Sequence, residues 1–276
     1  MALFTIDHFS ESLGLSMSCL VIVPQETKGQ IGMDGRIESD GGYPTLWLLH
    51  GRSDDHTIWL RRTSIERYAA SLGLAVVMPA VHLSRYSNME YGGRYWDYIG
   101  QELPELLENW LPLTKQRERT FVAGLSMGGW GTMKLALNQP QRFAAAASLS
   151  GALRFSRSQW RKGGKRAEPD PRIDLVYGDP DADDFPRAED RLLERVRDHQ
   201  SSGIELPRLF ACCGTEDFLL EDNRIGVASL RDLGVAIDYE EGPGVHDWAF
   251  WDGWIQRALQ WMGFDIQPPS LGGVAQ

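Results

Sequence analysis

Short apolar runs alternate along this chain with longer segments whose apolar residues recur every three or four positions. The runs LVIVP (20–24), TLWLLHG (45–51), LAVVMPA (74–80), TFVAGLS (120–126), FAAAASLSG (143–151), LPRLFACCG (206–214) and VAIDYEEG (235–242) read as strands. Several are continuous rather than alternating, the pattern of parallel strands buried on both faces. The segments TSIERYAASLG (63–73), YWDYIGQELPELLENWL (95–111), MGGWGTMKLALNQ (127–139), DDFPRAEDRLLERVRDHQ (183–200), EDNRIGVASLRDLG (221–234) and HDWAFWDGWIQRALQWMG (246–263) have helical spacing, with Pro104 interrupting the second. Strand followed by helix, repeated, predicts an α/β fold with a mostly parallel, doubly wound sheet.

Two stretches break the rhythm. Residues 25–44 are polar and glycine-rich and read as a hairpin-like loop between two early strands. Residues 151–182 carry few apolar side chains and read as a small flap inserted in a single domain spanning 1–266, with a flexible Pro/Gly tail at 267–276. The flap is charged in blocks: Arg154, Arg157, Arg161, Lys162, Lys165 and Arg166 come first, and Asp and Glu dominate 168–190. Two readings stand side by side: a solvated flap whose halves pair, or a basic rim that attracts anionic substrates. The run DPDADD (179–184) alternates acids, but Asp184 and Asp190 stand where a calcium loop needs glycine and glutamate, so no metal site is expected.

Composition narrows the function classes. The chain has 276 residues, 42% hydrophobic and 24% charged, ordinary values for a globular protein with a large core. A net charge of −10 provides no general basic face, so nucleic acid is not an expected partner. No run of 18 apolar residues is present and the N-terminus lacks a basic stretch ahead of an apolar one, so neither a membrane span nor a secretory signal is expected. Cys19, Cys212 and Cys213 make no disulfide framework; they read as small core residues, and a cytoplasmic location fits them. Trp-rich helices leave a homo-oligomer possible without indicating one.

The candidate chemistry lies in VAGLSMGGWGTMK, where Ser126 sits between Gly124 and Gly128 as G-x-S-x-G. A serine hydroxyl is a weak nucleophile and needs a base and oxyanion donors. A strand ahead of Ser126 and a helix behind it describe a sharp turn that presents the hydroxyl, and the crowding there calls for small residues on both sides. An acid and a histidine are then required downstream, in that order. Asp217 lies just past the strand LPRLFACC, with Glu216, Glu221 and Asp222 as rivals better suited to solvent or a helix cap. His246 lies in the loop GPGVHDW after the next strand, and Asp247 beside it is free to cap the following helix. Backbone N–H groups of Arg52, after HG at 50–51, and of Met127 are the candidate oxyanion donors, with Ser53 an alternative to Arg52. Trp130, Trp248 and Trp251 are near the triad in sequence and read either as core or as a pocket wall. His82 and His56 follow strands and are candidates for substrate contact. His8 and His199 read as surface residues.

These segments together resemble the Putative esterase family of α/β-hydrolases. The matching stretches are LWLLHGRSDDHTIWLRRTSIERYA, LAVVMPA, GQELPELLENWLP, RTFVAGLSMGGWGTMKLAL, CCGTEDFLLEDN and GVHDWAFWD, in matched order over most of 43–254. Among its members the chain is most similar to tributyrin-type esterases, and more distantly to S-formylglutathione hydrolases, feruloyl esterases and mycolyltransferases. The resemblance implies an α/β-hydrolase fold, nucleophile Ser126, acid Asp217, base His246, and cofactor-free hydrolysis of small esters with short acyl chains. Departures are Arg52 where these families often carry an apolar residue, a longer loop at 25–44, the basic flap, and no cysteine-containing segment of the S-formylglutathione hydrolase kind. Alternatives on the same triad are an acyltransferase or a thioester hydrolase; a non-catalytic hydrolase-fold binding protein is the alternative of another class.

Overall fold

Among the described residues, eight strands form one sheet in the order β1-β2-β4-β3-β5-β6-β9-β10. They are β1 (Ala2–Ser10), β2 (Leu15–Val23), β3 (Thr45–Leu49), β4 (Ala75–Pro79), β5 (Thr120–Leu125), β6 (Ala145–Leu149), β9 (Arg208–Gly214) and β10 (Ile237–Gly242); β7 (Arg161–Lys162) and β8 (Lys165–Arg166) form a separate pair. The structure is a computed structural model and describes residues 1–29, 31, 35, 37, 41–153, 161–162, 165–166, 171–179 and 187–266. From β4 onward along the sheet every pairing is parallel, while β1 and β2 add antiparallel at one edge. This is the α/β-hydrolase fold.

The continuous apolar runs are explained by burial on two faces. Along β3, Trp47 and Leu49 point into one core layer and Leu46 and Leu48 into the other. The helices are α1 (Ile58–Arg62), α2 (Ile65–Ala70), α3 (Tyr95–Asp97), α4 (Leu103–Trp110), α5 (Met127–Asn138), α6 (Pro171–Tyr177), α7 (Leu192–Ser201), α8 (Leu220–Asp232) and α9 (Trp248–Met262). Helices α4, α5, α7 and α8 pack on the first layer, and α1, α2 and α9 on the second. Between Met127 and Leu137 every residue of α5 is buried, which places the segment after Ser126 at the centre of the molecule.

Pro104 acts as the sequence suggests, with a refinement. A wide π-type turn at Tyr98–Glu102 joins α3 to α4, so helical structure continues through 95–110. Proline lacks the N–H that would bond the carbonyl four residues back. That carbonyl, Gly100, instead accepts from Gln139 Nε2 at 3.0 Å and Arg142 Nη1 at 3.4 Å.

Several expectations need correction. The N-terminal stretch ALFTIDHFS is an edge strand, and the strand expected at 20–24 begins at Leu15. Residues 25–44 do not close a hairpin, because β4 lies between β2 and β3 and the connection must cross it. The helix expected over 183–200 starts only at Leu192, after a tight turn at Ala188–Asp190. Within the flap, α6 buries Val176 and Tyr177, so that part belongs to the packed body. The basic side chains at 154–166 and the acids at 180–184 lie outside the described residues. Among the described residues no helix is long and apolar enough to cross a membrane.

Candidate active site

β5 ends at Leu125 and α5 begins at Met127, so Ser126 alone makes the turn between them. Its φ of 52° and ψ of −113° lie in a region that costs a non-glycine residue about 1–3 kcal/mol. The flanking glycines are demanded by contact. A Cβ on Gly124 would lie 2.5 Å from the Gly128 carbonyl oxygen, and one on Gly128 would lie 2.5 Å from the Leu49 carbonyl oxygen. The Ser126 N–H donates to the Leu149 carbonyl at 2.9 Å, and the Trp130 N–H donates back to the Ser126 carbonyl at 3.1 Å.

The acid and histidine loops leave adjacent strands, β9 and β10, and are stitched together by backbone. Thr215 N–H donates to the Gly242 carbonyl at 2.9 Å and Glu216 N–H to the Gly244 carbonyl at 3.1 Å. The Glu216 carboxylate accepts from Gly244 N–H at 2.8 Å. A Cβ on Gly214 would collide with the Gly244 carbonyl, so the close approach depends on that glycine.

From these loops His246 Nδ1 comes to 2.8 Å from Asp217 Oδ2, and His246 Nε2 to 2.9 Å from Ser126 Oγ. Asp217 Oδ1 accepts from the Leu219 N–H at 2.8 Å, so both carboxylate oxygens are engaged. Burial opposes ionisation of Asp217, yet the bonds from His246 and Leu219 outweigh it and hold its carboxyl below the ordinary range. An ionised Asp217 accepting from Nδ1–H leaves Nε2 as the acceptor facing the serine hydroxyl. Such a line can move a proton off the hydroxyl.

The sequence-derived base thus meets the serine across 120 residues and the sequence-derived acid meets the base, and the rivals do not. Glu216 serves the loop contact just described. Glu221 and Asp222 lie in the first turn of α8, and Asp247 Oδ1 caps α9 by accepting from Phe250 N–H at 3.0 Å.

The candidate oxyanion donors lie beside Ser126. A Cβ on Gly51 would sit 3.8 Å from Ser126 Cβ, so the loop carrying Arg52 runs past the serine. Met127 is the first residue of α5, where an N–H has no partner within the helix.

Behind that loop is a clamp with no sequence signature. The His50 ring is 1% exposed, and its Nδ1 lies 2.6 Å from the Gly51 carbonyl oxygen. Its Nε2 accepts from the Val81 N–H at 3.0 Å, which fixes the proton on Nδ1. Burial lowers the His50 pKa to about 4, so the ring is neutral at pH 7. The Tyr86 hydroxyl donates to the His50 carbonyl at 2.9 Å from a loop with positive φ at His82, Arg85 and Tyr86. Further along α5, buried Lys134 reaches Asp190 at 2.9 Å and the Ser87 hydroxyl at 2.8 Å, tying the nucleophile helix to the same loop.

Pocket candidates divide. Trp130 is 0% exposed and belongs to the core, so its expected place in a pocket wall is corrected: it backs the nucleophile turn. Trp248 is half-buried and meets Trp59 and Trp251 edge-on, each at 5.2 Å, and Trp251 meets the His246 ring edge-on at 4.9 Å. His82 is exposed, with Nδ1 2.8 Å from the Tyr95 hydroxyl. His56 is half-buried. His8 is buried against Tyr98 rather than on the surface, because the unforeseen strand β1 carries it. Phe218 was not singled out by sequence, since nothing distinguishes it from an ordinary loop apolar residue; its ring lies 4.5 Å from the His246 ring.

Comparison with known proteins places this geometry. The family model described as Putative esterase matches residues 10–262. An acetyl esterase of Caldicellulosiruptor saccharolyticus is 28% identical over 273 residues, covering 95% of this chain and 98% of that protein. Among solved structures, the fluorophosphonate-binding serine hydrolase FphF of Staphylococcus aureus is 34% identical with a TM-score of 0.80, covering 96% of this chain and 99% of that one. The S-formylglutathione hydrolase FrmB of the same organism is 35% identical with a TM-score of 0.77, covering 95% and 98%.

Proposed function

We propose, from the premise that this chain belongs to the Putative esterase family and is a carboxylic ester hydrolase, that it cleaves short-chain acyl esters through an acyl-enzyme on Ser126. One observation carries the reading: the unbroken hydrogen-bond line from Asp217 through His246 to Ser126, at 2.8 and 2.9 Å, on a strained turn at the strand ends.

In this reading His246 takes the Ser126 proton as Oγ attacks the ester carbonyl, and Asp217 holds the imidazole in the required tautomer. The N–H groups of Arg52 and Met127 receive the oxyanion of the tetrahedral intermediate. His246 then passes the proton to the departing alcohol, and the ester C–O bond breaks. Water enters along the same path and gives a proton to His246 as its oxygen attacks the acyl carbon; His246 then returns that proton to Oγ as the acyl C–Oγ bond breaks, releasing the acid and the free serine. The short acyl preference is supported by the likeness to the acetyl esterase.

The likeness to FrmB keeps an S-formylglutathione-type thioester as the second reading, since a thioester suits the same acyl-enzyme. The test is hydrolysis of p-nitrophenyl esters from acetyl to octanoyl beside a glutathione thioester, with Ser126→Ala in parallel. We expect a maximum at short acyl chains and a fall in kcat of roughly 10⁴–10⁶-fold in the variant. Wild-type turnover in Ser126→Ala sinks the assignment, and a glutathione thioester preferred over every simple ester selects the second reading.

A further inference from the structure

The aromatic ring packed on the candidate base is unusually open to solvent. Phe218 directly follows Asp217 and is 77% exposed, yet its ring centre lies 4.5 Å from that of His246. Val245, on the other side of the histidine in the chain, is also exposed. A second ring, Trp251, meets the imidazole edge-on at 4.9 Å and is buried. The base therefore has one buried aromatic neighbour and one exposed one. An exposed phenyl ring gains free energy when an apolar group covers it, and one this close to the base invites a question about what does.

The chemistry of the cycle answers it. His246 Nε2 must come within hydrogen-bond reach of the leaving oxygen to protonate it. The first atoms of the alcohol portion are then held within a few ångströms of the imidazole, whose ring centre is 4.5 Å from that of Phe218. The charge along the same segment acts in the same direction. From Thr215 to Asp222 the chain carries Glu216, Asp217, Glu221 and Asp222 with no lysine or arginine, so the segment bearing Phe218 offers no cation to an anionic leaving group.

We infer that Phe218 is the platform for the leaving alcohol, and that the enzyme is selective for esters of uncharged aromatic or apolar alcohols. This rests on the acyl-enzyme reading above. Phe218 makes no proton transfer in it; it sets which alcohol is held for protonation.

The test keeps the acyl group fixed and varies the alcohol. Benzyl acetate and ethyl acetate release alcohols of similar acidity, so their ratio reports contact rather than leaving-group chemistry; S-acetylglutathione supplies the anionic arm. For the wild type we expect kcat/KM about tenfold higher for benzyl than for ethyl acetate, with the glutathione thioester the poorest after correction for its rate in alkali. Phe218→Ala should lower kcat/KM for benzyl acetate about 5–10-fold and for ethyl acetate less than twofold, with Phe218→Leu recovering part of the loss. An equal loss on both esters, with an altered pH profile, would show that Phe218 only braces His246 and overturns the inference. So would an unchanged benzyl-to-ethyl ratio. A wild type that hydrolyses no ester and takes no fluorophosphonate label fails the acyl-enzyme reading itself, and the inference falls with it.

Discussion

Two loop systems meet at Ser126, and they are held by different means. On one side the acid and histidine loops are zipped by backbone bonds from Thr215 and Glu216 to Gly242 and Gly244, with Gly214 allowing the approach. Opposite, the loop carrying Arg52 is held by buried side chains: His50 bridges Gly51 and Val81, and Tyr86 bonds the His50 carbonyl. The first arrangement leaves the histidine partly open, which suits the proton transfers proposed for it. The second centres on the buried His50 ring, neutral at pH 7, and the buried Tyr86 hydroxyl, which suits holding a fixed dipole direction.

The two sides should fail differently when altered. The largest effect belongs to the acid side. In Asp217→Asn the amide can donate to Nδ1, which favours the tautomer with its proton on Nε2 and removes the acceptor that faces Ser126. The expected loss in kcat is about 10⁴-fold with little change in fold stability. Steady-state kinetics beside a thermal melt will check it, and a loss under tenfold would show that Asp217 does not set the tautomer.

At the junction of the two sides lies Gly128, whose added Cβ would be 2.5 Å from the Leu49 carbonyl oxygen and 2.7 Å from that of His50. Gly128→Ala must push the nucleophile turn away from the oxyanion loop, so activity and melting temperature should fall together, with about 1–3 kcal/mol of stability lost. The control is Gly253→Ala on the exposed face of α9, where nothing lies within 4 Å; helix propensity predicts a neutral or slightly stabilising result. Equal melts for the two variants would remove the steric argument.

The contrast also marks what a sequence can reveal. Backbone contacts that exclude a Cβ impose glycine, and glycine at fixed spacing around Ser126 is visible in the chain. Asp217 was locatable because it follows the continuous apolar run of β9, and His246 because it lies in a glycine-containing loop between the next strand and a helix. The side-chain clamp leaves no such trace: Tyr86 and His50 are 36 residues apart and meet because β3 and β4, which lead into their loops, lie side by side in parallel. Strand β1 was hidden because an edge strand has one neighbour and one partly solvated face, so ALFTIDHFS mixes Thr, Asp, His and Ser with its apolar residues. For Trp130 the sequence left core and pocket wall both open; four residues after Ser126 places it one turn down a helix that is buried on all sides, which selects the core.

The clamp carries its own pH signature. The folded-state pKa of His50 is depressed to about 4 against an ordinary 6.5. Above pH 6.5 both folded and unfolded forms hold it neutral and nothing is lost. As pH falls from 6.5 toward 4 the unfolded chain takes a proton that the folded one refuses, and stability declines by an amount on the order of 3 kcal/mol. In His50→Gln this component is absent, so its urea midpoint should fall less steeply over that interval than the wild-type midpoint. Parallel slopes would assign the acid sensitivity to other groups.

The smallest expected effect is the most selective for the oxyanion side. Tyr86→Phe keeps the ring that packs over Gly131 and deletes one hydroxyl, leaving the buried His50 carbonyl without its donor. An orphaned buried acceptor costs about 1–3 kcal/mol, part of which the loop recovers by shifting. Any shift moves the Arg52 N–H, the donor we propose for the developing oxyanion. Removing an oxyanion donor outright costs about 10²–10³-fold in kcat, so displacing one should cost about tenfold with KM within twofold. A trifluoromethyl ketone, which forms a tetrahedral adduct with the serine, should weaken in step with kcat/KM, while product acetate inhibits as before. If the variant melts lower but retains full kcat and full affinity for the ketone, Tyr86 supports the core and not the oxyanion loop, and the contrast between the two sides of the serine loses its functional half.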